Sequence, residues 1–204
     1  MATLVTDPFV EQQILAERAE LGTDRYDEVW EGTYMMTPLP NLEHQRLVMR
    51  LAAILENSIG QTGLGDVFPG ANVSDREEGW KQNFRGPEVV VLLKGGRAKD
   101  CDTHLCGGPD FLIEITSPHD HSREKLVFYG KIGVRELMLI DREPWSLELY
   151  QLKDGELRLA GKSRLDESAV LTSAVVPLSF RLIPGKSRPQ IEVTHRDGKQ
   201  RWIV

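Results

Sequence analysis

The alternation of apolar and polar positions in residues 109–118 predicts a buried β-strand with a charged residue in its middle. The apolar run is bounded by Gly107-Gly108-Pro109 on one side and Ser117-Pro118 on the other, which is typical of an interior strand. Alternate side chains of a strand point to opposite faces. One face therefore carries Phe111, Ile113 and Ile115, and the other carries Asp110, Leu112, Glu114 and Thr116. A buried carboxylate at Glu114 is costly unless a cation, a metal ion or a proton neutralises it.

The helix predicted after this strand supplies a candidate cation. Lys125 shares a helical stripe with the apolar residues three, four and seven positions later, so we expect its side chain to face the sheet. A second apolar strand, 87–93, carries Glu88 at its beginning. Two acids on central strands and a lysine directed at them predict a divalent-metal site suited to phosphodiester chemistry. A purely structural ion pair between Glu114 and Lys125, with Glu88 in solvent, is the alternative.

The remaining pattern predicts a mixed α/β fold. Helices are expected at about 9–21, 41–58 and 122–133, and strands at 26–36 (a short antiparallel pair), 66–74, 88–93, 110–116, 136–141, 147–152 and 156–159, with further short strands after residue 169. Asp154-Gly155 and Asp197-Gly198 are turn signals that predict two hairpins. Because no internal repeat or linker interrupts the chain, we expect one domain over residues 1–204, with helices flanking a central sheet.

Composition narrows the function classes without selecting one. The 204 residues carry a net charge of −6, with 40% hydrophobic and 27% charged residues, as in ordinary globular proteins. The negative charge argues against a basic surface for non-specific DNA binding, although acids at a metal site would contribute to it. No apolar run reaches the length of a membrane span, and residues 1–10 lack the features of a secretory signal. We therefore expect no membrane partner. With only Cys101 and Cys106, we also expect a cytoplasmic protein without disulfides.

Five segments together resemble one protein family. They are Met36-Thr37-Pro38 followed by His44, residues 87–91, residues 109–118, Lys125 with Tyr129, and residues 133–137. Over about residues 24–152 the chain resembles a family of putative restriction endonucleases, a domain of unknown function within the PD-(D/E)xK nuclease superfamily. The resemblance implies a restriction-endonuclease-like core, in which a mixed central β-sheet is flanked by helices. An N-terminal helix and C-terminal strands would be additions to that core.

The resemblance also implies an activity, the Mg²⁺-dependent hydrolysis of phosphodiester bonds in DNA by an endonuclease, with Mn²⁺ as a substitute metal. It assigns Glu88 and Glu114 to the two acids that hold the metal. The usual lysine two residues after the second acid is Thr116 here, and its role passes to Lys125 on the next helix. Glu88 stands where the superfamily usually has aspartate, so an active nuclease with an altered metal preference and an inactive relative both fit. Because duplex DNA has approximate two-fold symmetry, a homodimer is also expected.

Two further polar residues lie near these motifs. His44, at the beginning of the second predicted helix, either orients the site or contacts phosphate, or else caps and packs the helix. Asp110 shares the face of Glu114, but four residues at ~3.3 Å each separate them by ~13 Å, too far for one metal ion to bridge both. We therefore interpret Asp110 as a structural residue at the beginning of its strand.

Two alternatives to an active nuclease are open on the sequence. The first is a catalytically inactive nucleic-acid-binding or interaction module on the same fold, which has lost metal affinity at the first acid. The second is a structural zinc-binding protein that uses Cys101, His104 and Cys106, with His119 and His121 nearby. The spacing of these residues matches no common zinc signature, so free thiols and loop histidines are the plainer interpretation.

Overall fold

The computed structural model describes residues 8–116 and 121–204. Within them the helices are α1 Pro8–Glu20, α2 Leu42–Leu55 and α3 Lys125–Ile132, with a π-helical turn at Glu56–Gly60 and a 3-10 turn at Trp80–Gln82. The strands are β1 Glu28–Trp30, β2 Thr33–Met35, β3 Gly65–Pro69, β4 Val73–Ser74, β5 Phe84–Arg85, β6 Val89–Leu93, β7 Lys99–Asp100, β8 Leu105–Cys106, β9 Phe111–Ile115, β10 Glu136–Arg142, β11 Trp145–Lys153, β12 Glu156–Ser163, β13 Leu171–Thr172, β14 Leu178–Ile183, β15 Gln190–His195 and β16 Arg201–Ile203. None of the helices in the described ranges is long and apolar enough to span a bilayer.

A mixed six-stranded sheet forms the centre of the fold, in the order β12-β11-β10-β9-β6-β3. β9 and β10 are parallel, and the other neighbouring strands of this sheet are antiparallel. Parallel strands need a crossover connection, and α3 lies in the connection between β9 and β10. This architecture confirms the predicted fold class, and β9 is an interior strand as its apolar run predicted. Ser117 and Pro118, expected to close that strand, lie outside the described residues.

Two apolar cores cover the two faces of the central sheet. On one face Phe111, Ile113 and Ile115 pack with α2 and with the C-terminal sheet β13-β14-β15-β16. On the other face Leu112 and its neighbours pack with α3. Each fully buried side chain of this size contributes ~1.5–3 kcal/mol, so the two cores fix which way every residue of β9 points. Glu114 alternates with Ile113 and Ile115 and therefore lies beneath α3.

Asn41, where the second predicted helix begins, is the N-cap of α2. The side chain of Asn41 accepts a hydrogen bond from the backbone N–H of His44 at 2.9 Å, which satisfies one of the free donors of the first turn. Leu47, Leu51 and Leu55 are buried along the inner stripe of the helix. His44 lies in the first turn of the same stripe and is also buried. The α-helix ends at Leu55, and the chain continues as the π-helical turn rather than as α-helix to residue 58.

The position of α3 depends on a close backbone approach. A Cβ atom on Gly130 would lie 2.9 Å from the carbonyl oxygen of Gly155 in the β11–β12 turn, so only glycine allows this contact. Gly133, with φ of +88°, is in the left-handed region that commonly follows the end of a helix. The helix is thereby held close to the sheet, with Lys125 in its first turn.

A second sheet of short strands, in the order β2-β1-β5-β4-β8-β7, differs from the expectation. The short antiparallel pair predicted at 26–36 corresponds to β1 and β2, but no strand is predicted within residues 77–86 or 94–108. These stretches contain β5, β7 and β8, each of two residues. Strands of that length have no alternation to read, so only the folded chain reveals them. The first strand of this sheet, β1, carries the buried acid Glu28.

Candidate active site

The carboxylate of Glu114 is the centre of a buried polar cluster. Its side chain is 1% exposed and projects from the middle of β9 towards α3. The hydroxyl of Tyr129 donates a hydrogen bond to Oε1 at 2.5 Å, and Nζ of Lys125 lies 3.3 Å from Oε1 and 3.2 Å from Oε2. Burial raises the pKa of Glu114 well above its usual range, the Lys125 ammonium opposes that rise, and the carboxylates of Glu88 and Glu28 add to it.

The first two turns of α3 supply both donors. Lys125 and Tyr129 are four residues apart, so they lie one above the other on the helix face that meets the sheet. Burial lowers the pKa of Lys125, but the carboxylates of Glu114, Glu28 and Glu88 outweigh burial and raise it above the ordinary value. Burial, followed by the charge of Glu114, raises the pKa of Tyr129 well above its usual range. Both groups therefore keep their protons at neutral pH and remain hydrogen-bond donors.

Glu28 is a member of the cluster that the sequence analysis missed. Its Oε1 lies 2.7 Å from Nζ of Lys125 and accepts a hydrogen bond from the backbone N–H of Gly86 at 2.8 Å. Its Oε2 accepts a hydrogen bond from Nε1 of Trp30 at 2.6 Å. The only signal in the sequence was an acid within a short apolar strand. Nothing local indicated that this strand would lie over Lys125, which is 97 positions later.

Glu88 lies directly before β6 and on the same face of the sheet as Glu114. Because Val89 pairs with Ile113, the next pair in that register is Glu88 with Glu114. Glu88 Oε2 accepts a hydrogen bond from the backbone N–H of Ile115 at 3.0 Å, and Oε1 is 3.2 Å from Nε2 of His44. The Glu88 side chain is 19% exposed, so this end of the cluster opens towards solvent.

His44 is brought to the cluster by the packing of α2. Its side chain is 8% exposed, and its buried Nδ1 has no hydrogen-bond partner among residues 8–116 and 121–204. The contact with Glu88 therefore accounts for only one of its two ring nitrogens. Nε2 of His44 lies within ion-pair distance of Glu88, whereas the N-terminus of the helix is capped by Asn41.

Asp110 has partners of its own away from these contacts. Its Oδ1 accepts a hydrogen bond from the guanidinium of Arg135 at 2.9 Å, and Oδ2 accepts one from the backbone N–H of Leu93 at 2.8 Å. These bonds join the beginning of β9 to the neighbouring strands. Thr116, at the superfamily's usual lysine position, donates its hydroxyl hydrogen to Oδ1 of Asp141 at 3.1 Å.

The chemistry of the cluster fits a hard divalent cation. Three acidic side chains, Glu28, Glu88 and Glu114, surround the ammonium of Lys125, and Glu88 and Glu114 present oxygen ligands from neighbouring strands. Mg²⁺ in proteins is commonly held by one or two carboxylates and completes its shell with water and substrate phosphate. In the described ranges no three Asp, Glu, His or Cys side chains are grouped as a complete metal site. A metal at Glu114 would also meet the ammonium of Lys125.

The residues proposed for zinc are engaged elsewhere. The ring of His104 stacks on Trp80 at 4.8 Å, and its Nδ1 and Nε2 are within hydrogen-bond distance of Thr103 and of the Arg76 carbonyl. Cys101 and Cys106 are free thiols. Nδ1 of His121 is 2.6 Å from Glu124, and His119 lies outside the described residues. The part of the chain that the structure describes therefore offers no zinc cluster.

Comparisons with known proteins bear on the family and the fold of the chain. A family model described as Uma2, putative restriction endonuclease, matches residues 15–182, a longer stretch than the 24–152 expected from the motifs. A crystal structure of a putative nuclease belonging to DUF820 from Anabaena variabilis ATCC 29413 is similar, with a TM-score of 0.56. The two chains are 17% identical over 72% of this chain and 80% of the other, which shows a shared fold. No curated protein matches the sequence.

Proposed function

Because the chain belongs to the Uma2 family of putative restriction endonucleases, we propose that it is a divalent-metal-dependent endonuclease that hydrolyses phosphodiester bonds in DNA. The observation that carries the proposal is the placement of Glu88 and Glu114 opposite one another on one face of the sheet, beside Lys125. Three acidic side chains, Glu28, Glu88 and Glu114, converge on Lys125, and the charges of Glu88 and Glu28 contribute to the raised pKa of Glu114. A divalent cation would offset the repulsion among these acids.

Glu88 and Glu114 would hold Mg²⁺, or Mn²⁺ in its place, through carboxylate oxygens. The metal, when bound, would generate the attacking hydroxide and offset charge on the scissile phosphate. Lys125 stays protonated. Its ammonium would donate a hydrogen bond to a phosphate oxygen or to the attacking water and would act there as a point charge. Tyr129 fixes the rotamer of Glu114 by its hydrogen bond to Oε1. The exposed edge at Glu88 is the side from which a DNA strand would approach.

An inactive nucleic-acid-binding module on the same fold is the second candidate. It is favoured by one observation, that the ammonium of Lys125 already contacts oxygens of both Glu28 and Glu114. In such a module this contact would be permanent, and the cluster would bind no metal. Calorimetric titration with Mn²⁺ separates the two candidates, because only the enzyme requires a metal at these acids.

The activity itself is tested with purified protein and supercoiled plasmid. We expect nicked and then linear DNA in the presence of Mg²⁺ or Mn²⁺ and none after chelation with EDTA. A protein that binds Mn²⁺ and yet leaves plasmid, linear duplex and single-stranded DNA intact would contradict the proposal of DNA hydrolysis.

A further inference from the structure

Lys125 contacts two acids unequally. Its Nζ lies 2.7 Å from Oε1 of Glu28, but 3.2 Å and 3.3 Å from the two oxygens of Glu114. The shorter contact is therefore to the acid that the metal would not use. An ammonium that lay wholly on Glu114 would compete with a metal ion for the same oxygens, since like charges a few ångströms apart repel strongly in a buried site.

Glu28 is held firmly enough to fix the ammonium. Its side chain is 5% exposed, and three donors surround the carboxylate, namely Lys125, the backbone N–H of Gly86 and Nε1 of Trp30. The guanidinium of Arg85 lies between the rings of Trp30 and Phe128, with its carbon 4.5 Å and 4.2 Å from the two ring centres. This stack joins β1 to α3. Glu28 thus belongs to a sheet other than the one that carries Glu114.

From this geometry we infer that Glu28 is a positioning residue that draws the Lys125 ammonium away from Glu114 and so leaves the oxygens of Glu114 available to a divalent metal. The inference rests on the proposed function and adds a third acid that acts through the lysine rather than as a metal ligand. With Glu28 in place, the lysine stays beside the metal position without occupying it.

The chain contains a matched control for this arrangement. Glu148 is also buried, with its side chain 7% exposed, and its Oε1 is 2.7 Å from Nζ of Lys162. Its Oε2 accepts a hydrogen bond from an aromatic side chain two residues later, Tyr150 at 2.7 Å, as Oε2 of Glu28 does from Trp30. Glu148→Gln therefore removes a buried carboxylate that is paired with a lysine, and also with Arg123, outside the proposed site.

The experiment is a calorimetric titration of Mn²⁺ into wild-type protein, Glu28→Gln, Lys125→Met, the double variant and Glu148→Gln, with circular dichroism to verify folding. We expect Glu28→Gln to weaken Mn²⁺ binding roughly tenfold, because the ammonium is left with Glu114 alone. Lys125→Met should bind Mn²⁺ more tightly than wild type. In the Lys125→Met background, Glu28→Gln should change the Kd less than about twofold, which is the coupling that a double-mutant cycle detects. Glu148→Gln should bind as wild type does.

The cycle distinguishes the roles open to Glu28. If Glu28→Gln weakens Mn²⁺ binding equally with and without Lys125, Glu28 acts through its own charge or as a ligand, and the inference is wrong. An unchanged Kd in Glu28→Gln would overturn it too, while Mn²⁺ binding by the wild type would leave the proposed metal site standing. A folded wild type that binds no Mn²⁺ at all would overturn the proposed function together with the inference.

Discussion

At the scale of single residues, Glu114 and its neighbours form a buried cluster of acidic and basic side chains. Lys125 interacts with Glu114, Glu28 and Glu88, and the Glu114 side chain has almost no contact with water. A buried ion pair contributes little net stability, because the cost of desolvating both charges offsets their attraction. The cluster is therefore expected to add little to folding, which is consistent with the proposed metal site.

Replacement of Glu114 by the isosteric Gln should leave the metal-free protein as stable as wild type, or more stable. The amide removes a desolvated charge and its repulsion by Glu28 and Glu88, while Lys125 keeps Glu28 as its partner. Thermal unfolding measures this, and Mg²⁺ should raise the melting temperature of the wild type but not of the variant. A clear loss of stability in Glu114→Gln, with no response of the wild type to Mg²⁺, would instead identify a structural Glu114–Lys125 ion pair.

The hydroxyl of Tyr129 should contribute more to the free energy of unfolding than the hydroxyl of Tyr150. Tyr129 donates to a fully buried carboxylate at 2.5 Å, and its loss in Tyr129→Phe should cost roughly 1.5–3 kcal/mol in the free energy of unfolding. Tyr150 donates at 2.7 Å to Glu148, which keeps Lys162 and Arg123 as partners, so Tyr150→Phe should cost about 1 kcal/mol or less. Urea denaturation compares the two variants. Equal losses would show that burial of Glu114 adds nothing to its bond with Tyr129.

The parts of the cluster that sequence could predict are those encoded by local periodicity. Strand alternation placed Glu114 on the inner face, and helical spacing placed Lys125 above it. Local periodicity could not predict the residues that tertiary contacts bring to the cluster. Glu28 reaches the cluster through a short sheet, and the sequence alone left the role of His44 open because its contact with Glu88 depends on how α2 packs.

At the scale of secondary-structure elements, ion pairs join the segment before α3 to strands β10 and β11 of the central sheet. Arg123 contacts Asp141 of β10 at 3.1 Å and Glu148 of β11 at 3.2 Å, and Lys162 of β12 reaches Glu148 from the other side. Burial opposes the charge of Glu148, but its bonds with Lys162, Tyr150 and Arg123 outweigh burial and lower its pKa.

The stabilising effect of Glu148 should therefore depend on pH. A carboxylate whose pKa is lower in the folded than in the unfolded state stabilises the fold above the unfolded pKa, and this contribution is lost as pH falls through the folded pKa. We expect Glu148→Gln to cost about 1 kcal/mol at pH 7 and progressively less as pH falls below the unfolded pKa of ~4.3 and through the lower folded pKa, in urea unfolding measured from pH 7 downwards. A difference from wild type that does not change with pH would contradict the role of the charge.

The elements themselves were predictable where they are long or end in clear signals. Asn41 caps α2, Gly133 ends α3, and Asp154-Gly155 joins β11 to β12, as their residue types indicated. Prediction was less accurate where length or strain is decided by packing. The strand expected at 66–74 is divided into β3 and β4 around Gly70, whose φ is +75°.

At the scale of the whole molecule, the two faces of the central sheet carry different groups of residues. One face carries the apolar core shared with α2 and the C-terminal sheet, and the other carries the acids beneath α3. The C-terminal strands, expected only as additions, complete the first core through residues such as Phe180, whose ring stacks with Phe111 of β9 at 6.2 Å. β9, which carries Glu114, is thereby packed against the C-terminal sheet on the face opposite Glu114.

The most direct measurement of the central claim is the metal-dependent rate of plasmid nicking by Glu114→Ala and Lys125→Ala, with Glu148→Gln prepared identically as the control. If the cluster hydrolyses DNA, both site variants should lose activity by about 10²-fold or more while remaining folded, since each removes a metal ligand or a charge that stabilises the transition state. Glu148→Gln should nick at the wild-type rate. Undiminished Mg²⁺-dependent cleavage by both folded site variants would contradict the account and assign the activity to another site.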